Sequence, residues 1–167
     1  MITVRPAEPA DAPAIHAMTL RAEPDELDGC GYARGLPTRC YTAWVALLDG
    51  EIVGLLEGRF DAGYVDEIAQ PDHPAPQAWV QLLMVDPTHR SQGIGQHLLV
   101  GFSTAAQQAG CTFLALTADS NDRLADRIRF FRKCGLASID RHTPDATFGA
   151  PVDTILTAGA TPGEQNR

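Results

Sequence analysis

A strand that stops at a proline, followed within a few residues by a helix that restarts on two glycines, leaves this chain few folds to choose from. The run reads Leu83-Met84-Val85-Asp86-Pro87-Thr88-His89-Arg90-Ser91-Gln92-Gly93-Ile94-Gly95-Gln96-His97-Leu98-Leu99. Residues 79–85 are nearly all apolar, which suits a central strand buried on both faces. Asp86-Pro87 ends that strand, because proline has no N–H to give the ladder. A helix over about 92–109 follows, with Ile94, Leu98, Phe102 and Ala105/Ala106 on one face at helical spacing. Gly110 supplies its C-terminal cap. The first turn of a helix has backbone N–H groups with no intrahelical acceptor. Glycines there let a ligand approach the backbone, and the helix dipole adds positive potential. Together these make an anion site, most naturally for a phosphate or pyrophosphate. His89 and Arg90 stand beside it and add positive charge.

Two common phosphate motifs are excluded. A dinucleotide fingerprint needs a third small residue after Gly-x-Gly, and that place is Leu98. A P-loop needs Gly-Lys-Ser/Thr, and no lysine lies in this run.

The flanks set the order of elements. Residues 2–5 alternate as a short strand, and Asp11 is placed to cap a helix running to about Arg21. Residues 22–40, with Asp25, Glu26 and Asp28, read as a loop or short helix. Residues 43–48 and 51–60 are apolar-rich runs joined by Asp49-Gly50, a hairpin signal because both turn residues need positive φ. Residues 61–77 read as a loop. Residues 112–117 form another buried strand, and Asn121 to Cys134 the last helix, with Leu124, Ile128 and Phe131 inward and Gly135 as cap. Residues 136–141 and 152–157 read as two closing strands, and 158–167 as a frayed tail. The order is mixed α/β, antiparallel in its front half, with one β-α-β crossover that sets strands 79–85 and 112–117 side by side and parallel.

Composition narrows function by exclusion. A chain of 167 residues makes about one domain, read here as 1–157. The net charge of −8 argues against non-specific nucleic-acid binding, which needs a basic face; it suits a small cationic substrate. Cys30, Cys40, Cys111 and Cys134 form no C-x-x-C pair and no His/Cys cluster of zinc spacing. Cys111 and Cys134 read as small buried hydrophobes, and no metal is expected. The N-terminus lacks an apolar run of signal-peptide length and no stretch approaches a membrane span, so the expected location is the cytoplasm.

Arg90-x-x-Gly93-x-Gly95, directly after a strand ending Val85-Asp86-Pro87, resembles the acyl-CoA-binding motif of the GNAT superfamily, Gln/Arg-x-x-Gly-x-Gly/Ala. Asn121 and the run Phe130-Phe131-Arg132-Lys133-Cys134-Gly135-Leu136 resemble its second signature. The sharp matches cover about residues 79–136. The resemblance implies a GNAT-like α/β (α+β mixed) fold: a mixed, mostly antiparallel sheet of about six or seven strands flanked by about four helices, with a splayed central parallel pair. It implies an acetyl-CoA-dependent N-acetyltransferase, with acetyl-CoA as donor and a small-molecule or peptide amine as acceptor. It implies that backbone N–H groups from Ser91, Gln92, Gly93, Ile94, Gly95 and Gln96 hold the pyrophosphate beside Arg90. The backbone of Leu83, Met84 and Val85 would then hydrogen-bond the pantetheine arm. Asn121 matches a residue that contacts the pantetheine; equally, it reads as a plain helix N-cap.

This chain also departs from the family pattern. Phe131 stands where many members carry a tyrosine that protonates the leaving thiolate, and Leu116 stands where some carry a glutamate base. Asn121 lies about one helical turn too far from Phe131. No catalytic residue is therefore assigned, although Tyr32, Tyr41 and Tyr64 and the acids Glu57, Asp61, Asp66 and Glu67 fall in the front half. Arg127, Arg129, Arg132 and Lys133 make the last helix basic, which favours its dipole or holds a ribose phosphate. A different reading stays open, an acyl-CoA-binding module without acyltransferase activity. Homodimers occur in the family.

Overall fold

Among the described residues, seven strands and four α-helices form. The computed structural model describes residues 1–22, 32, 41–62, 73–118, 123–140, 142–143 and 145–160. The strands are β1 (Ile2–Pro6), β2 (Thr42–Leu48), β3 (Glu51–Ala62), β4 (Gln77–Val85), β5 (Phe113–Thr117), β6 (Ala137–Ser138) and β7 (Thr147–Pro151). The helices are α1 (Ala12–Ala22), α2 (Ile94–Gln108), α3 (Leu124–Lys133) and α4 (Val152–Ala160). The sheet runs β1-β2-β3-β4-β5-β7-β6. β4 and β5 are parallel, registered through Ala78, Trp79 and Val80 against Leu114, Ala115 and Leu116. The pairs β1–β2, β2–β3, β5–β7 and β6–β7 are antiparallel.

The chain forms two compact units. The first comprises Met1–Arg59 and Gln81–Phe102. Here the Asp49-Gly50 turn has φ of 52° and 88°, the left-handed pair that matches the twist of the strands it joins. Under α1, Ile15, Met18, Val45 and Leu55 are fully buried and pack with Tyr32 and Met84. Gly54 on β3 lets α2 approach the sheet: a Cβ there would lie 2.9 Å from both Ile94 Cγ2 and Leu98 Cδ1. The buried stripe Ile94, Leu98 and Phe102 is the apolar face expected from the helical spacing.

The second unit comprises Phe60–Val80 and Ser103–Arg167. α2 and α3 end alike, Cys111 N donating to Ala106 O and Gly110 N to Gln107 O, Leu136 N to Phe131 O and Gly135 N to Arg132 O. Both are the paired bonds of a Schellman cap. Cys111 and Cys134 are each 2% exposed and free, and burial pushes the Cys134 thiol up to about 11 despite Lys133.

Four expectations are corrected. Residues 152–157 are not a strand: they lie in α4, and the strand that pairs with β5 is Thr147–Pro151 just before it. The β-branched run suggested a strand, but Val152 and Ile155 are buried at helical spacing. Asp11 does not cap α1; it closes a 3-10 turn, Pro9–Asp11, accepting from Glu8 N at 2.8 Å while its carboxylate also pairs with Arg5. The last helix, α3, begins at Leu124 rather than at 121, with Arg123 as its N-cap and no side-chain capping bond; Asn121 itself lies outside the described residues. Residues 158–160 belong to α4 rather than to a frayed tail.

Candidate functional site

β4 delivers the chain to the site. Met84 is 3% exposed and packs into the core, while Leu83 and Val85 are half-buried. Residues 83–85 lie beyond the stretch of β4 registered with β5.

Asp86 turns the chain. Its Oδ1 accepts from Thr88 N at 2.9 Å and from Thr88 Oγ1 at 2.7 Å, the local loop that short acidic side chains favour. That bond opens a 3-10 turn over Pro87–His89. Asp86 is only 2% exposed. Burial opposes its ionisation, but the hydrogen bonds from Thr88 and Arg21 overcome that and hold its carboxyl well below the usual carboxylate range. A hydrogen bond to the charged form favours that form.

Arg90 then takes an extended conformation, Ser91 a φ of 64° and Gly93 a φ of 81°. These two left-handed residues reverse the chain into α2. Ser91, Gln92 and Gly93 are exposed, whereas Ile94 is 1% exposed and seated under Gly54. The apolar side of the first turn is thereby anchored in the core. The first intrahelical bond is His97 N to Gly93 O at 3.0 Å. His97 Nδ1 lies 2.9 Å from the same oxygen; a carbonyl only accepts, so this ring nitrogen carries the proton.

The turn fits a bound anion on the chemistry of its donors. Residues 87–97 contain no acidic side chain and include His89, Arg90 and His97. A Cβ on Gly93 would meet nothing closer than the His97 ring at 3.7 Å, so the space over the backbone is open to a ligand. Helix N-termini bind phosphates in just this way.

The remaining sequence candidates separate. Phe131 is 6% exposed, its ring 5.7 Å from Phe130 and 5.5 Å from Phe148. Leu116 is 2% exposed in β5. Glu57 on β3 is 1% exposed, and its Oε1 accepts from Tyr32 N at 3.0 Å. Burial first, and then the field of Asp11, Glu57 and Glu8, raises the Tyr32 phenol above its ordinary value. Asp61 is exposed and Tyr41 half-buried. Arg129 pairs with Asp126 at 3.1 Å and Arg132 with Asp145 at 3.3 Å. Asn121, Asp25, Glu26, Asp28, Tyr64, Asp66, Glu67, Cys30 and Cys40 lie outside the described residues. Among the described residues no three His, Cys, Asp or Glu side chains group as a metal site would need, and no helix is long and apolar enough to cross a membrane.

Sequence reasoning missed Asp86, which it used only as a strand terminator. Asp-Pro-Thr carried the local half of the signal. The other half, Arg21, lies 65 residues away.

Known proteins share the family and the fold. A family model described as the acetyltransferase (GNAT) family matches residues 12–136. No curated protein matches the sequence significantly. Solved structures do share the fold. The ribosomal-protein-S18-alanine N-acetyltransferase from Escherichia coli is 17% identical, with 100% of this chain and 99% of that one covered and a TM-score of 0.64. The PaiA N-acetyltransferase from Thermoplasma acidophilum, solved with coenzyme A, is 14% identical over 90% and 99%, with a TM-score of 0.66. An aminoglycoside 6′-N-acetyltransferase from Acinetobacter baumannii is 18% identical over 86% and 95%, with a TM-score of 0.64. With three-quarters of its length matched by the family model, the chain belongs to the GNAT family of acetyltransferases.

Proposed function

We propose that this acetyltransferase moves the acetyl group of acetyl-CoA to an amine by direct attack within a ternary complex. One observation carries the reading: an open, acid-free turn with Ser91 and Gly93 in left-handed conformations presents the N-terminus of α2 directly after β4. When bound, acetyl-CoA supplies the thioester that the amine attacks.

The chain's own groups have separable tasks. The backbone from Ser91 to Gln96, beside Arg90, holds the pyrophosphate. The backbone of Leu83, Met84 and Val85 aligns the pantetheine arm, and a strand N–H there polarises the thioester carbonyl as an oxyanion hole does. Phe131, standing where many members carry a tyrosine, has no proton to give a departing thiolate. A thiol ionises near pKa 8.5, so its thiolate leaves without an acid. The amine must lose its proton before attack, since an alkylammonium has a pKa near 10.4.

The test is acceptor-dependent thiol release from acetyl-CoA across a panel of primary amines, including amino-terminal peptides and aminoglycosides. The reading expects amine-dependent release of one thiol per amide formed. Tight acetyl-CoA binding with no release on any amine would instead establish the second reading, an acyl-CoA-binding module, which Phe131 and Leu116 favour by standing where members carry Tyr and Glu.

A further inference from the structure

Asp86 has no part in the roles just given, yet it is among the most heavily bonded side chains of the first unit. Its two carboxylate oxygens serve different elements. Oδ1 holds the turn, through Thr88 N at 2.9 Å and Thr88 Oγ1 at 2.7 Å, with His89 Nδ1 at 3.7 Å. Oδ2 holds α1, accepting from Arg21 Nη2 at 2.6 Å and Arg21 Nε at 3.1 Å. Its backbone ties in two more places: N donates to Val53 O on β3, and O accepts from His89 N, both at 2.9 Å. Arg21 is itself steadied on α1, with Nη1 donating to Ala17 O at 3.2 Å.

The hydrogen bonds offset the cost of burying the carboxylate, yet a buried ion pair is not the only way to stabilise such a place, since an apolar residue of similar shape often holds it as well. A charged group fixed by two elements does specify one geometry, and charged hydrogen bonds are short and directional. The geometry it specifies is the exit of β4 into the turn that ends at Gly93.

We propose that Asp86, gripped by Arg21, is a positioning residue for acyl-CoA: it sets the angle at which residues 87–93 present the first turn of α2 to the pyrophosphate. The inference deepens the reading above and rests on it for the identity of the ligand. Ligand sites lose affinity steeply when a supporting contact shifts their donors.

The experiment combines three variants with two readouts. Asp86→Asn keeps an acceptor for Thr88 but turns a donor toward Arg21. Arg21→Gln removes the grip at a side chain that is 56% exposed, so it keeps the test open where Asp86→Asn fails to fold. Arg21→Lys restores the charge without the fork. Calorimetric titration with acetyl-CoA at 15 °C should give a Kd weakened about tenfold or more in Asp86→Asn and about three- to tenfold in Arg21→Gln, with partial recovery in Arg21→Lys. Ile155→Val, in α4, should lower Tm and leave Kd unchanged. In the unliganded protein, amide exchange at His89 and His97 should quicken in Arg21→Gln. A wild-type Kd in Arg21→Gln, or unchanged exchange at both histidines, overturns the proposal. If the unaltered protein fails to bind acetyl-CoA, the acetyltransferase reading falls, while the exchange measurement still decides whether Asp86 and Arg21 position the turn.

Discussion

At Gly93 the backbone decides what side chain is allowed. Its φ of 81° lies in the left-handed region, where a β-branched residue is strained by about 1–3 kcal/mol. A Cβ has room, with the His97 ring 3.7 Å away, so the cost is conformational rather than a clash. Gly93→Val should therefore lower the unfolding free energy by about 1–3 kcal/mol in urea titration and abolish acetyl-CoA binding in a protein that still folds. Normal binding by that variant would separate the turn from the ligand. The glycine turn was legible because its information is local: a strand end, a proline, two glycines and a helical stripe all lie within one short run. The Arg21–Asp86 pair was not, because no local pattern announces a partner across 65 residues. Glu57, one of the front-half acids, is 1% exposed; a lone Glu between leucine and glycine neighbours in a strand does not reveal which way it faces.

Among the elements, those with their own punctuation were readable. Asp49-Gly50 fixed the β2–β3 hairpin, and Gly110 and Gly135 fixed the ends of α2 and α3. α4 was not readable, since Val152-Asp153-Thr154-Ile155-Leu156-Thr157 is rich in β-branched residues that favour strands. Tertiary context overrides that propensity: Val152 N donates to Thr112 O at 2.9 Å and Asp153 Oδ1 accepts from Gln107 Nε2 at 2.7 Å, while an acid in the first turn suits the helix dipole. Ile155 is the buried anchor, 1% exposed. Ile155→Ala should cost about 2–5 kcal/mol of stability, measured by chemical denaturation. A cost below about 1 kcal/mol would mean that α4 is not part of the packed core. The start of α3 was misplaced for a related reason. Asn is a good cap by propensity, but the helix begins at Leu124 after an Arg123 that makes no capping bond.

For the molecule as a whole, pH is the informative variable. Asp86 and Asp11 both ionise below their ordinary value in the folded state, and an unfolded Asp ionises near 3.9. A depressed folded pKa gives stability that is fully present above the unfolded value and lost as pH falls through the folded one. These two groups therefore contribute nothing to any pH dependence between about 5 and 8, and they weaken the fold below about pH 4. Asp86→Asn should lower the plateau at neutral pH and flatten the acid limb, seen as the unfolding free energy at a series of pH values. An acid limb as steep in the variant as in the parent protein would place the acid sensitivity elsewhere. The chain carries a charge of −8, yet residues 87–97 contain no acid, so the whole-chain charge places no carboxylate within the proposed anion site.

Calorimetric titration of the purified protein with acetyl-CoA, with free CoA and NAD as comparisons, asks whether this turn holds acyl-CoA. Acetyl-CoA should bind at micromolar Kd, on the order of −8 kcal/mol, with no heat from NAD. Absence of binding to either CoA form would reduce the glycine turn to the start of a helix.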